Sequence, residues 1–244
     1  MSSFFAIKFM SNTSLETLEF ITGTDPKAQP VASIVVLHGL GADGADFVPI
    51  AQELDLSALG GPVRFVFPHA PVRPVTLNGG YEMRAWYDLY PPSASPNVPR
   101  QEDEPGLRLA CQQVQGLLDR EVARGVPAAR TVLMGFSQGC AMTLMAGLRA
   151  PQRLAGLVAW SGYLPLAATT AAERSAANQD VPIFMAHGRY DNVVVPERGA
   201  AARDALLALG YAVDWADYPM EHSVCAEQVA DLNEWLVNLL TLPA

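Results

Sequence analysis

The stretch Thr131–Arg149, TVLMGFSQGCAMTLMAGLR, constrains the fold more than any other part of the chain. It opens with an apolar β-type run, Val132-Leu133-Met134, turns through Gly135-Phe136-Ser137-Gln138-Gly139, and continues in a helix-like pattern closed by Pro151. A G-x-S-x-G turn between strand and helix holds its serine in a strained backbone conformation, and its glycines let neighbouring chain pass where a Cβ would clash. The turn presents Oγ in the open, at the foot of a helix whose first N–H groups favour negative charge. The plainer alternative is an ordinary strand–helix turn with an incidental serine.

The surrounding pattern supports the first reading. Val31–Leu37 is a nearly continuous β-branched run, which suits a central strand buried on both faces. Further strands are expected at Val63–Phe67, Leu157–Trp160, Val181–Ala186 and Tyr211–Trp215, with helices at Gly106–Arg124, from Pro196 to Leu209, and after Ser223 as N-cap. Phe4–Phe9 and Leu18–Ile21 read as an antiparallel strand pair at the sheet edge, before a turn at Gly23-Thr24-Asp25-Pro26. Strand and helix alternate, so the expected architecture is α/β with a mostly parallel sheet, as one domain over residues 1–244.

Composition narrows the partners. With 50% hydrophobic and 17% charged residues the chain can bury a large core, and its formal charge of −9 works against nucleic acid or an anionic membrane surface. Cys111, Cys140 and Cys225 are scattered and form no C-x-x-C pair, which suits a reducing compartment. The start, MSSFFAIKFMSNTS, lacks the basic and apolar regions of a signal peptide. The uncharged runs Thr131–Leu148 and Leu154–Ala172 are broken by polar residues, glycine and proline, so buried strand–turn–helix accounts for them better than membrane insertion.

Gly39, Gly41 and Gly44 spell G-x-G-x-x-G after a strand, the pattern of a dinucleotide site. That reading needs an acidic residue closing the next strand, which instead ends in Pro68-His69. The same loop can supply an oxyanion-hole donor at Leu40, with the second at the N–H of Gln138 after the serine, or it can be simply a tight turn. Pro68–Pro105 holds eight of the nineteen prolines and reads as a long loop. Its aromatic residues Tyr81, Trp86, Tyr87 and Tyr90 argue that it packs over the protein and walls a groove.

A serine hydroxyl needs a histidine to take its proton. In the order Ser–acid–His found in α/β-hydrolases, His38 and His69 come too early, leaving His187 and His222. His187 closes a strand and leaves less room for an acid before it, whereas His222 lies in the loop before the last helix and is favoured. His38 and His187, each beside a glycine at a strand end, either shape the site or simply pack. For the acid, Asp191 follows a strand and precedes His222 at a distance. Asp217 is only five residues from His222, and Glu221 adjoins it and turns back to Nδ1 with difficulty.

At this point the chain resembles the acyl-protein thioesterase, lysophospholipase and carboxylesterase family. The resemblance rests on HGLG at His38–Gly41, PHAPVRPVT at Pro68–Thr76, AWYD at Ala85–Asp88 and QED at Gln101–Asp103. It continues through GFSQG at Gly135–Gly139, SGYLP at Ser161–Pro165, His187-Gly188 with Asp191, and His222-Ser223, from about residue 15 to the C-terminus. It implies an α/β-hydrolase fold without a separate lid domain and a triad of Ser137, Asp191 and His222. It also implies oxyanion donors at Leu40 and Gln138, and an acyl channel lined around Leu77 and Trp86. It further implies a cytosolic, often dimeric enzyme that acts on an ester or acylated substrate with no cofactor and no metal. Cys140, where the family often has a second glycine, and the slightly displaced Pro196 are departures.

Overall fold

Seven strands with alternating apolar faces assemble into one twisted sheet in the computed structural model, which describes residues 15–23, 28–92 and 100–241. The strands are β1 (Thr17–Ile21), β2 (Ala32–Leu37), β3 (Val63–Pro68), β6 (Thr131–Phe136), β7 (Gly156–Trp160), β8 (Ile183–Gly188) and β9 (Val213–Tyr218). A small separate pair, β4 (Val72–Val75) and β5 (Tyr81–Arg84), falls between β3 and β6. The sheet order is β1-β3-β2-β6-β7-β8-β9, parallel throughout except for β1, which runs antiparallel to β3 at the edge.

The period of two along each strand divides the apolar residues between two cores. Val35, Leu37, Leu133 and Leu157 face α2 (Glu104–Ala123), α3 (Gln138–Gly147) and α5 (Pro196–Ala208). Ile34, Val36, Val132 and Val158 face α1 (Val48–Glu53) and α6 (Ala226–Thr241). A seven-residue helix, α4 (Ala167–Glu173), was not foreseen in the sequence pattern. Every residue of β2, β3, β7 and β8 is buried, as the continuous apolar runs require of strands covered on both sides.

Leu18–Ile21 lies in β1, which pairs antiparallel with β3; its expected partner Phe4–Phe9 and the turn at Thr24–Pro26 lie outside the described residues. Three expectations change. The proline-rich loop contains the β4–β5 hairpin, turned through Gly79 and Gly80 at φ of 67° and 81°. The Asn78-Gly79-Gly80 turn signal was present in the sequence, but Pro74 inside β4 masked the strand. The last strand begins two residues later than the apolar run, at Val213. The last helix begins at Ala226, with Val229 N–H donating to Cys225 O, while Ser223 lies in the preceding turn, its N–H donating to Glu221 O.

Strand β9 ends the sheet with Asp214 and Asp217 exposed; Asp214 accepts from Trp235 Nε1 and Asp217 pairs with Arg189. At the other edge a buried ion network ties β1, β2 and β3 to α2. Glu121, fully buried, accepts from Ser33 Oγ and Arg64 Nη1 at 2.9 Å each and from Arg124 Nη1 at 3.0 Å. Arg124 in turn reaches Glu19 at 2.7 Å. Removing one member of such a cluster leaves a buried charge uncompensated. Glu121→Ala should therefore lower unfolding free energy by about 3–5 kcal/mol; urea denaturation giving a loss below about 1 kcal/mol would contradict this role.

Candidate active site

Ser137 sits between β6 and α3 with φ of 57° and ψ of −116°, a region that costs a non-glycine residue about 1–3 kcal/mol. The neighbours enforce it. Ser137 N–H continues the ladder to Trp160 O at 2.9 Å, and α3 starts at the next residue. A side chain at Gly139 would run into the Leu37 carbonyl, and one at Gly135 into the Gly139 carbonyl. The glycines of the motif are thus fixed by close approach, and the serine side chain is left facing a cavity of about 450 Å³.

The loops after β8 and β9 are hydrogen-bonded to each other, which brings an acid and a base to the same place. Arg189 N–H donates to Tyr218 O at 2.8 Å and Tyr190 N–H to Met220 O at 3.0 Å. His222 Nε2 lies 2.9 Å from Ser137 Oγ and its Nδ1 lies 2.7 Å from Asp191 Oδ2. A carboxylate only accepts, so Nδ1 carries the proton and Nε2 is free to accept from the serine hydroxyl. Asp191 is buried, and its other oxygen accepts from Val193 N–H at 2.9 Å and Val194 N–H at 2.8 Å. The Phe136 ring packs against His222 with centroids 4.7 Å apart. Of the other acids considered, Asp217 pairs with Arg189 and Glu221 is exposed.

Leu40 and Gln138 lie on the two segments that meet at the serine. Gln138 is the first residue of α3, where an N–H has no acceptor within its helix. Leu40 borders the same cavity as Ser137, and a Cβ at Gly39 would stand 3.3 Å from the Ser137 Cβ. Phe47, Ile50, Phe136, Val193 and Val224 give that cavity apolar walls. Leu77 and Trp86 are not among its lining residues: Leu77 is 39% exposed on the hairpin, and Trp86 is buried. A second cavity of about 260 Å³, among Tyr87, Leu89, Tyr163 and Arg198, is bordered by none of Ser137, Asp191 or His222.

The remaining histidines have structural partners. His187 donates from Nε2 to Val194 O at 2.7 Å, within the loop that carries Asp191. His38 donates from Nδ1 to Gly39 O at 2.7 Å and accepts at Nε2 from Ala70 N–H at 3.0 Å. His69 Nδ1 accepts from Gly44 N–H at 3.2 Å, so the third glycine of the G-x-G-x-x-G pattern holds a loop in place. Among the described residues no group of three or more His, Cys, Asp or Glu is arranged to hold a metal ion. Two site features escaped the sequence reading: the bonds of the Gln138 carboxamide and of the Trp86 indole. Both join segments far apart in the chain, and no local pattern signals them.

A mostly parallel sheet with helices on both faces and a serine raised on a strained strand–helix turn defines an α/β-hydrolase. The phospholipase/carboxylesterase family profile matches residues 18–240, and the chain belongs to that family. It is 37% identical over 213 residues to acyl-protein thioesterase 1 of Yarrowia lipolytica, covering 86% of this chain and 92% of that one. Among solved structures it is similar to Arabidopsis thaliana SOBER1, with a TM-score of 0.77 and 30% identity over 86% of this chain and 99% of that one. It is also similar to Zea mays acyl-protein thioesterase 2, with a TM-score of 0.75 and 28% identity over 91% and 98% of the respective chains.

Burial lowers the pKa of both His38 and His69 below the ordinary 6.5, and Arg84 adds to the effect on each while Asp43 opposes it. Both act as acceptors and must be neutral to do so. Because the folded pKa is the lower one, their contribution to stability is complete above about pH 6.5 and is lost as the pH falls below it. Unfolding free energy should decline from pH 7 to 5, and His38→Gln should flatten that slope by up to ~1.4 kcal/mol per pH unit. Equal slopes for wild type and variant would refute the assignment.

Proposed function

We propose that the protein is a serine hydrolase that cleaves carboxylic esters and thioesters with an apolar acyl part. The observation that carries the reading is the continuous hydrogen-bonded line from Asp191 through His222 to Ser137 Oγ, at 2.7 and 2.9 Å. In this reading His222 Nε2 takes the hydroxyl proton as Ser137 Oγ attacks the carbonyl carbon. The Leu40 and Gln138 N–H groups receive the oxyanion. His222 then gives its proton to the leaving alcohol or thiol, and the acyl group remains on Ser137. A water that loses its proton to the same nitrogen attacks the acyl-enzyme, and the acid leaves as the serine is restored. Asp191 stays ionised and keeps the imidazole in the required tautomer.

The apolar walls around Ser137 support a hydrocarbon acyl group. Leu77 and Trp86 enter this reading only as the acyl wall that the resemblance implies, and neither borders the cavity at Ser137. A thioester as substrate is favoured by the relatives, since the similar proteins of Yarrowia lipolytica and Neurospora crassa are named acyl-protein thioesterase 1. The reading includes one domain over residues 1–244, supported by a single sheet drawn from Thr17 to Tyr218. It also includes action in the cytoplasm, supported by three unpaired cysteines. Among the described residues no helix is long and apolar enough to cross a membrane. Self-association as a homodimer is supported by the exposed Tyr190, Val193 and Val195.

Ser137→Ala should fold as the wild type does and lose at least ~10⁴-fold in turnover of p-nitrophenyl and thiocholine acyl esters. Asp191→Asn should lose ~10⁴-fold through the wrong tautomer. Wild-type turnover in Ser137→Ala would end this reading.

A further inference from the structure

The two proposed oxyanion donors come from separate parts of the chain. Gln138 follows β6, and Leu40 follows β2, its neighbour in the sheet. Strand pairing sets the spacing of β2 and β6 only as far as their ends; beyond Leu37 and Gly135 the two segments leave the ladder. Oxyanion donors act only when both N–H groups lie within about 2.7–3.1 Å of the developing charge, so something must hold the two segments in register.

The buried side chains between them do so. The Gln138 carboxamide, 3% exposed, accepts from Trp86 N–H through Oε1 and donates through Nε2 to Tyr87 O, each at 2.8 Å. The Trp86 indole then donates from Nε1 to His38 O at 2.9 Å, with its ring 5.4 Å from the imidazole. His38 in turn donates to the carbonyl of Gly39, the residue before Leu40. Gly41 N–H closes the far side on Arg84 O at 2.9 Å. The line therefore runs from one donor residue to the other through Trp86.

We infer that Trp86 and the Gln138 side chain form a brace that sets the separation of the two oxyanion donors, which makes Trp86 a positioning residue instead of a wall of the acyl channel. The inference rests on the roles of Ser137, Leu40 and Gln138 given under the proposed function. It accounts for why a tryptophan with 1% exposure directs its one polar atom at a backbone carbonyl of the neighbouring loop. The Gln138 backbone N–H and the Gln138 carboxamide have separate tasks, one toward the substrate and one toward the protein.

The test compares Trp86→Phe, which removes the indole N–H, with Gln138→Met, which keeps the backbone N–H and Trp86 but loses both carboxamide bonds. Tyr163→Phe serves as the control beside the same segment, because it removes only the bond between the Tyr87 and Tyr163 hydroxyls at 2.7 Å. For thioesters of short, medium and long acyl chain, kcat should fall about 10- to 100-fold in the first two variants, equally at every chain length. KM should stay within about twofold, and the inhibition constant of an alkyl trifluoromethyl ketone should rise in parallel with the loss in kcat/KM. The control should keep wild-type kcat.

A loss confined to KM and growing with chain length would return Trp86 to the acyl wall and overturn the brace. Unchanged kcat in Gln138→Met, or an equal loss in Tyr163→Phe, would overturn it as well. If Trp86→Phe does not fold, Gln138→Met alone decides. Ser137→Ala measured alongside separates the two levels: activity there removes the underlying reading, whereas an inactive Ser137→Ala beside a fully active Gln138→Met removes only the brace.

Discussion

The backbone of Ser137 is the constraint on which the site depends. A positive φ at a serine is unfavourable in isolation, and it persists because β6, α3 and the end of β2 leave the turn no alternative course. Gly139 passes so close to the Leu37 carbonyl that the end of β2 and the serine turn behave as one packed unit. The same close approach puts the first turn of α3 beside the start of the loop carrying Leu40, which borders the cavity at Ser137. Strain at one residue is thereby balanced by the packing of a whole sheet end.

The other half of the site is assembled by backbone bonds between two loops. Arg189 and Tyr190 donate to the turn after β9, and Gly188 lies against the carbonyls of Met220 and Glu221, so Asp191 and His222 approach each other as parts of one loop layer. Asp191 has both oxygens engaged, which fixes its orientation toward Nδ1 of His222. His187 secures the same loop from behind through Val194. Around this arrangement His38 and His69 work as neutral acceptors that hold the facing loop, a task distinct from proton transfer.

Much of this was legible in the residues. G-x-S-x-G between a β-type run and a helical run is a local signal, and so are the continuous apolar runs of β2 and β3; each reports the packing that surrounds it. Asp191 and His222 were reachable through chain order and loop position, although their meeting depends on loops tens of residues apart. The β4–β5 hairpin was missed because a proline in a strand suppresses the expected pattern, even though two adjacent glycines marked the turn. The start of α6 was misplaced because Ser223 is a good cap by type but is folded into the turn that presents His222. The bond of the Trp86 indole was not legible, because composition reveals that an aromatic packs without revealing whether its N–H meets a ligand or a carbonyl.

The outer edge of the sheet bears on behaviour at high protein concentration. Among the described residues strand β9 pairs only with β8, and an open strand edge is a template for joining sheets between molecules. Asp214 and Asp217 stand along it, one held by the Trp235 indole and the other by Arg189, so a second strand arriving there would have to strip water from carboxylates already committed to partners. The charges along the last strand thus make intermolecular sheet extension on that side costly.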